Sequence, residues 1–206
     1  MNLETNFTKV TDFLDDIDEN REKILKITRE ITRKCSISIK SIHRGDFDEY
    51  EQLIKKIKQD LNECKQLVNK NPGFFFKYLK TPEQEFAEAA CLYAIIKEKE
   101  IPGPEGLEIN ALNYVLGLAD VVGELRRFVL DNIRHSNLSK LDEFLNIMDD
   151  IHSNLFSLDY PSGITKDLRH KTDVARSLLE KTRGDVSLSV QMNKLKNNLK
   201  QALRKD

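Results

Sequence analysis

The chain has 206 residues, of which 39% are hydrophobic and 33% charged, and its formal net charge is −1. This length and composition favour a single soluble, globular domain over residues 1–206. The longest apolar run, around Phe86 to Ile96, is well short of the roughly 20 residues that span a bilayer, so no membrane segment is expected.

The N-terminal residues and the cysteines also bear on location. The first ten residues, MNLETNFTKV, lack the basic segment followed by an apolar one that marks a secretion signal. Cys35, Cys64 and Cys91 are far apart in sequence, with no Cys or His at ligand spacing nearby. We therefore expect a reducing, cytoplasmic compartment rather than a disulfide framework or a zinc site.

Charge is distributed unevenly along the chain. Residues 12–19 contain five acids and no base, whereas residues 21–44 contain eight Lys and Arg against two Glu. The basic segment is either the solvated face of a helix or a surface that follows a phosphate backbone. A second basic stretch, with Lys194, Lys196, Lys200, Arg204 and Lys205, is expected to be a frayed end or to contact an anionic ligand.

Helical periodicity extends over the whole chain, beginning with a very long first helix. Its apolar residues recur at helical spacing from Phe7 to Ile42, and Gly45 is a plausible stop. A second helix is predicted to open near Asp46 and to end at the sequence NKNPG. The aromatic segment GFFFKYLK is counted as a short third helix.

The fourth helix is predicted to begin at Pro82. Thr81 would be its N-cap, Pro82 its first residue, and Gln84 the partner that completes a capping box. This helix ends in the charged KEKE sequence, and a loop with two prolines and two glycines follows.

Three more helices complete the predicted fold. They cover about residues 112–134, 138–159 and 164–202, the last with a possible interruption at Gly184. No strand pattern and no internal repeat are evident. The sequence therefore predicts an all-α protein, a seven-helix antiparallel bundle with long helices.

Two glutamates interrupt the apolar fourth helix. Glu85 and Glu88 are the only charged residues between Glu85 and Ile96, and a helix that is apolar nearly all round is expected to be buried. At a spacing of i and i+3 they share a face, so two ionised carboxylates would repel each other where burial already disfavours charge. Protonation, a basic partner or a cation must compensate.

A second acid pair lies on the fifth helix. Asp120 and Glu124 are the only acids between Leu112 and Leu130, and their i and i+4 spacing also places them on one face. They belong either to an ordinary polar stripe or to a site. Arg126 and Arg127 follow directly, and either could pair with an acid or contact a phosphate.

Two acid pairs on two helices are typical of the carboxylate metal sites that helical bundles build from facing side chains. Only oxygen ligands would be available, with no His or Cys in the pattern. Such a donor set favours Mg²⁺ or Mn²⁺ over zinc or iron.

These segments resemble those of the Translin/Trax family, and in particular its catalytic, Trax-like branch. The resemblance is carried by QEFAEA (residues 84–89) and LADVVGELRR (residues 118–127). Supporting matches are REKILKITREITRKCSISIKSIHRGD, FFFKYLK and HKTDVARSLLEKTRGDVSLSV. One departure is Phe76, which stands where the animal Trax pattern carries a histidine, with Lys77 as the basic residue that follows.

The resemblance implies a seven-helix fold, an octameric shell, and a metal-dependent endoribonuclease that cleaves single-stranded RNA inside it. By position, Glu85, Glu88, Asp120 and Glu124 would bind the metal and act in catalysis. The chain would assemble with itself or with a Translin-like paralogue. Residues expected to contact the RNA backbone are Arg29, Lys40, Arg44, Lys77, Lys80 and Arg127.

Two other functions are compatible with such a bundle. One is a non-catalytic protein that binds single-stranded RNA or DNA, since fold alone does not imply activity. Four carboxylates near a phosphate path argue against it, because each would repel the backbone unless neutralised. The other is an architectural bundle with no role in nucleic-acid binding, which predicts only weak RNA binding that does not depend on salt.

Overall fold

A computed structural model describes residues 2–135 and 137–203. No strand occurs among these residues, and the all-α fold class is confirmed. The helices are α1 (Leu3–Arg44), α2 (Phe47–Lys70), α3 (Pro72–Phe75), α4 (Lys80–Ile96), α5 (Pro104–Leu107), α6 (Ala111–Arg134), α7 (Leu141–Phe156), α8 (Ser162–Thr165) and α9 (Leu168–Ala202). A 3₁₀ segment, Phe76–Leu79, joins α3 to α4.

The first two helices end and begin where their sequence signals predict. Gly45 has a φ of 75°, in the left-handed region that favours glycine. Its N–H donates to the Ile42 carbonyl at 3.0 Å, and the Asp46 N–H donates to the Ser41 carbonyl at 2.9 Å, which is the Schellman arrangement. The Asp46 side chain then accepts from the Glu49 N–H and caps α2.

The predicted start of the fourth helix is wrong. α4 begins at Lys80, directly after the 3₁₀ segment, and no side chain caps it, so Thr81 is not an N-cap. Pro82 is the third residue of α4. It is tolerated there because the first N–H groups of a helix have no intrahelical acceptor.

Three further helix boundaries differ from prediction. α7 is three residues shorter at each end than the predicted range 138–159. α9 begins at Leu168, after the separate turn α8, and it continues through Gly184 to Ala202 without a break. Its C-terminal turns are therefore helical rather than frayed, whereas Arg204 and Lys205 lie outside the described residues.

The chain divides into two compact units, residues 1–114 and 115–206, and the boundary falls within α6. In the first unit α1 packs against α2 and α4, around a core that includes Ile31, Leu61 and Phe86. In the second unit α7 and α8 pack against α9. The single-domain assignment of residues 1–206 stays a prediction.

Among the described residues, no helix is both long enough and apolar enough to cross a membrane.

Candidate functional site

Glu85 and Glu88 lie on α4, whose side chains are buried on almost every side. Glu88 is only 9% exposed, and Glu85 is partly buried. Both acids lie close enough to Cys35 of α1 to affect that thiol. Burial raises the pKa of Cys35 well above its usual range, and the negative charges of Glu85 and Glu88 raise it further. Both acids therefore lie near the buried Cys35 of α1.

A third acid of α4, Glu83, was missed by the sequence analysis. It is 3% exposed and accepts hydrogen bonds from the Asn110 N–H at 3.0 Å and from the Asn113 side-chain amide at 2.8 Å. Lys65 lies 3.9 Å from its second oxygen. These contacts place a carboxylate at the beginning of α6, where the helix dipole favours negative charge. Glu83 therefore has a structural role.

A sequence signal for Glu83 existed in its helical neighbours. Positions i+3 and i+4 from Glu83 are Phe86 and Ala87, and both are fully buried. Residues at these spacings share a face, so this pattern favours burial of Glu83. Its partners are 18 to 30 residues away in the chain and could not be read from the pattern.

In the second unit, Asp120 is held by a lysine of α9. The Lys171 ammonium donates to both carboxylate oxygens of Asp120, at 2.5 and 2.6 Å. The two side chains are 21% and 31% exposed, respectively, so this ion pair is shielded from bulk water on most sides. Lys171, Asp120 and His170 line a cavity of about 410 Å³.

The arginines that follow Glu124 have different environments. Arg126 lies 2.8 Å from Asp185 and donates to the Thr182 hydroxyl at 2.9 Å, which ties α6 to α9. Arg127 is about half exposed and lies 3.8 Å from Glu124, one turn earlier on the same helix. Of the two, Arg127 is the better placed to meet a phosphate.

Some of the predicted RNA contacts come together in the first unit. Arg29 and Lys77 line one concavity of about 490 Å³, together with Arg33 and Tyr78. Lys80 is partly buried at the start of α4. Lys40 is exposed farther along α1, and Arg44, at its end, is paired with Glu49.

The metal-site prediction is not decided by these contacts. Within residues 2–135 and 137–203, no group of three or more His, Cys, Asp and Glu is arranged so that it could hold a metal ion. The predicted meeting of Glu85 and Glu88 with Asp120 and Glu124 joins residues of different units and stays a prediction.

Comparison with known proteins decides the family. Residues 19–184 match the profile of the Translin family, which is well over half of the chain. The chain belongs to the Translin family. It is 26% identical, over 198 residues, to the Translin-associated protein X homolog of Schizosaccharomyces pombe, covering 88% of this chain and 86% of that protein.

Two further relatives extend the comparison. An uncharacterized protein of Methanocaldococcus jannaschii is 40% identical over 190 residues, which cover 91% of this chain and 84% of that one. Among solved structures, AfC3PO in complex with duplex RNA is similar, with a TM-score of 0.82 and 28% identity. That similarity covers 91% of this chain and 97% of the solved one. The Translin-type fold is thereby confirmed.

Proposed function

We propose that this Translin-family protein is a Mg²⁺- or Mn²⁺-dependent endoribonuclease that cleaves single-stranded RNA as part of an oligomer. The observation that carries the proposal is the acid pair of α4. Glu88 is buried, and Glu85 lies one helical turn before it, while the other residues from Phe86 to Ile96 are apolar. Burial disfavours the charge of both carboxylates, and the family resemblance implies a use for them as metal ligands.

The donor chemistry fits a hard divalent cation. Every candidate ligand is a carboxylate, and of the α4 pair Glu88 is buried and Glu85 partly buried. Glu85, Glu88, Asp120 and Glu124 would hold the ion. When bound, it would lower the pKa of a water molecule and offset the charge that develops on the phosphate.

The other roles belong to the side chains of the chain itself. Either Glu124 or Glu88 would orient the attacking water by accepting its hydrogen bond. Arg127, about half exposed beside Glu124, would donate to a phosphate oxygen. Arg29 and Lys77 would bind the RNA backbone at their shared concavity. By family resemblance, the products would carry 5′-phosphate and 3′-hydroxyl ends.

The alternative is a protein that binds RNA without cleaving it. The concavity that contains Arg29, Lys77 and Arg33, the last paired with Glu30, favours this function independently of the acids, because its cations would attract a phosphate backbone. The solved AfC3PO complex contains duplex RNA, so double-stranded ligands belong in the test.

The test is a cleavage assay on labelled unstructured RNA and on a duplex of the same sequence. We expect the single strand to be cut with Mg²⁺ or Mn²⁺ and to remain intact with EDTA. RNA binding is measured in parallel. The logarithm of the affinity should fall linearly as the logarithm of the salt concentration rises. Binding without cleavage under all metal conditions would favour the alternative, and salt-independent weak binding would exclude both.

We predict that Lys171→Met tightens Mn²⁺ binding and lowers the stability of the metal-free protein. Lys171 neutralises Asp120 at both oxygens, so a divalent ion that uses Asp120 must displace it or share the carboxylate with it. Calorimetric titration with Mn²⁺ should give a dissociation constant at least about fivefold lower, and the Tm without metal should fall because a partly buried carboxylate loses its ion pair with Lys171.

The matched control is Lys181→Met, an exposed position on the same helix. It should change neither quantity. An unchanged Mn²⁺ affinity in Lys171→Met would remove Asp120 from the proposed ligand set, whatever the cleavage assay gives.

Assembly and location complete the proposal. By family resemblance the chain would form an octamer with itself or with a Translin-like paralogue, and it would act in the cytoplasm. Light scattering tests the first point, since a stable monomer at micromolar concentration would contradict it.

A further inference from the structure

The beginning of α1 presents an apolar stripe that is exposed. Every side chain from residue 3 to residue 16, here called the N-terminal arm, is exposed. Leu3, Phe7, Val10 and Leu14 follow one another at spacings of four, three and four residues, and they are 52–68% exposed. This spacing puts them on one face of the helix. The arm is about 21 Å long at 1.5 Å per residue.

The end of α9 presents a second stripe of the same kind. In residues 187–203, here called the C-terminal arm, Leu188, Met192, Leu195 and Leu199 show the same spacing and are 55–61% exposed. The arm is about 25 Å long.

The stripe of the C-terminal arm is not a continuation of the buried face of α9. That face follows the series Thr172, Ala175, Leu179, Thr182 and Val186. Its continuation would fall on Ser189, Asn193 and Lys196, whereas each stripe residue lies one position earlier, which rotates the stripe by about 100°. The stripe therefore faces away from the core of its own unit and is suited to another partner.

The two arms carry opposite charges. The N-terminal arm contains four acids, Glu4, Asp12, Asp15 and Asp16, against Lys9 alone. The C-terminal arm contains Lys194, Lys196 and Lys200 and no acid. Net charges of −3 and +3 on helices of similar length, each with an apolar stripe, make the arms complementary in both charge and hydrophobicity.

We propose that the N-terminal arm of one copy of this chain packs lengthwise on the C-terminal arm of a second copy. Neither an RNA backbone nor an anionic lipid surface suits the N-terminal arm, because its net negative charge repels both. Pairing two N-terminal arms would likewise place like charges together. This contact is the surface through which copies of the chain would assemble, and in that respect it rests on the proposed function. It does not depend on RNA cleavage.

Disulfide cross-linking between separately prepared variants tests this contact. The N-terminal variants are Val10→Cys and Leu14→Cys, and the C-terminal variants are Leu188→Cys and Leu195→Cys, so that four mixtures cover the unknown register. The native thiols Cys35, Cys64 and Cys91 are buried, and burial raises the pKa of each, so they contribute little to oxidation. Isotope labelling of one partner identifies dimers that contain both variants.

At least one mixture of an N-terminal with a C-terminal variant should give a mixed disulfide dimer. The yield of this dimer should be at least about fivefold higher than the yield of disulfide dimer from either variant alone. It should exceed by the same factor the yield from a mixture of either variant with the exposed control Ile164→Cys. Failure of all four mixtures would overturn the proposal, as would preferential cross-linking of N-terminal variants with themselves. Cleavage is measured on the same samples, so loss of activity and loss of the contact are distinguishable.

Charge exchange provides an independent test without cysteines. Asp12→Lys combined with Asp15→Lys and Asp16→Lys should weaken self-association at low salt by at least about tenfold in sedimentation, and so should Lys194→Glu combined with Lys196→Glu and Lys200→Glu. A chain carrying all six substitutions should regain association. If the variant with all six substitutions associates more weakly than either variant with three, the proposed charge pairing is wrong.

Discussion

Glu88→Gln should abolish RNA cleavage, with a rate at least about 100-fold lower, while the protein remains folded. The substitution keeps the size of the side chain and removes its charge. Changing a residue that only orients a metal ligand typically costs 10- to 100-fold in affinity or activity, so loss of a ligand itself should cost at least the upper value. Asp120→Asn should behave in the same way on α6. The measurement is the single-turnover cleavage rate of unstructured RNA in Mn²⁺.

Stability separates this role from a structural one. Glu88 is 9% exposed, and glutamine keeps its size and its ability to accept a hydrogen bond. Metal-free Glu88→Gln should therefore keep the helical circular dichroism signal and the cooperative thermal unfolding of the wild type. A catalytic loss that arose from misfolding would instead reduce the helical signal or abolish the cooperative transition.

For each acid pair, a nearby acid that is not a proposed metal ligand serves as a control. Glu100 is exposed just after the end of α4, and Asp131 lies on α6 beside Arg134. Glu100→Gln and Asp131→Asn should cleave at the wild-type rate. If Glu88→Gln and Asp120→Asn also cleave at that rate, the assignment of the carboxylate site is wrong.

The sequence predicted most clearly the features that depend on neighbours in the chain. The stop of α1 at Gly45 and the start of α2 after Asp46 follow from local backbone chemistry, and both are confirmed. The position of Glu85 and Glu88 on one face of α4 follows from helical spacing, although only Glu88 is buried. Each prediction needed only residues within one or two turns of helix.

The start of α4 was missed because its signals are ambiguous. Thr81 and Pro82 form a typical helix-start pattern, but proline also fits the third position of a helix, where an N–H would have no intrahelical partner. The preceding segment, Phe76–Leu79, is already helical, so the chain enters α4 without a capping side chain. A short aromatic segment carries too few residues to reveal its own period.

The partners of the acids were beyond the reach of the sequence. Lys171 is 51 residues from Asp120, and Asn113 is 30 residues from Glu83. Which lysine or amide meets a buried carboxylate is set by how the helices pack, and one sequence contains many equivalent candidates. The sequence shows which positions carry an acid, but it does not show that Lys171 neutralises the charge of Asp120.

Alkaline pH should destabilise the protein steeply above about pH 9, because three thiols are buried in the first unit. Burial raises the pKa of Cys64 to about 11 and that of Cys91 to about 12. The pKa of Cys35 is also raised, first by burial and then by the negative charges of Glu85 and Glu88. An unfolded chain releases the proton of each thiol near pH 8.5 to 9. Between that pH and the folded-state pKa, the folded state binds more protons than the unfolded state.

The sign of the effect follows directly from this difference. Stability that is fully present below pH 8.5 is lost as pH rises toward the folded-state pKa, by up to about 1.4 kcal/mol per pH unit for each thiol. Three thiols together would cost up to about 4 kcal/mol per unit near pH 10, a large part of the stability of an ordinary domain. The measurement is the free energy of unfolding from urea titrations between pH 7 and pH 10.5.

Single substitutions assign the slope to individual thiols. Cys64→Ala should lower stability at pH 7 through the lost packing, yet flatten the alkaline slope by up to about 1.4 kcal/mol per unit. Val121→Ala is the control, since it creates a cavity at a fully buried site without removing a titrating group and should leave the slope unchanged. A slope that is equal in the wild type and in Cys64→Ala would mean that this thiol ionises as readily in the folded chain as in the unfolded one.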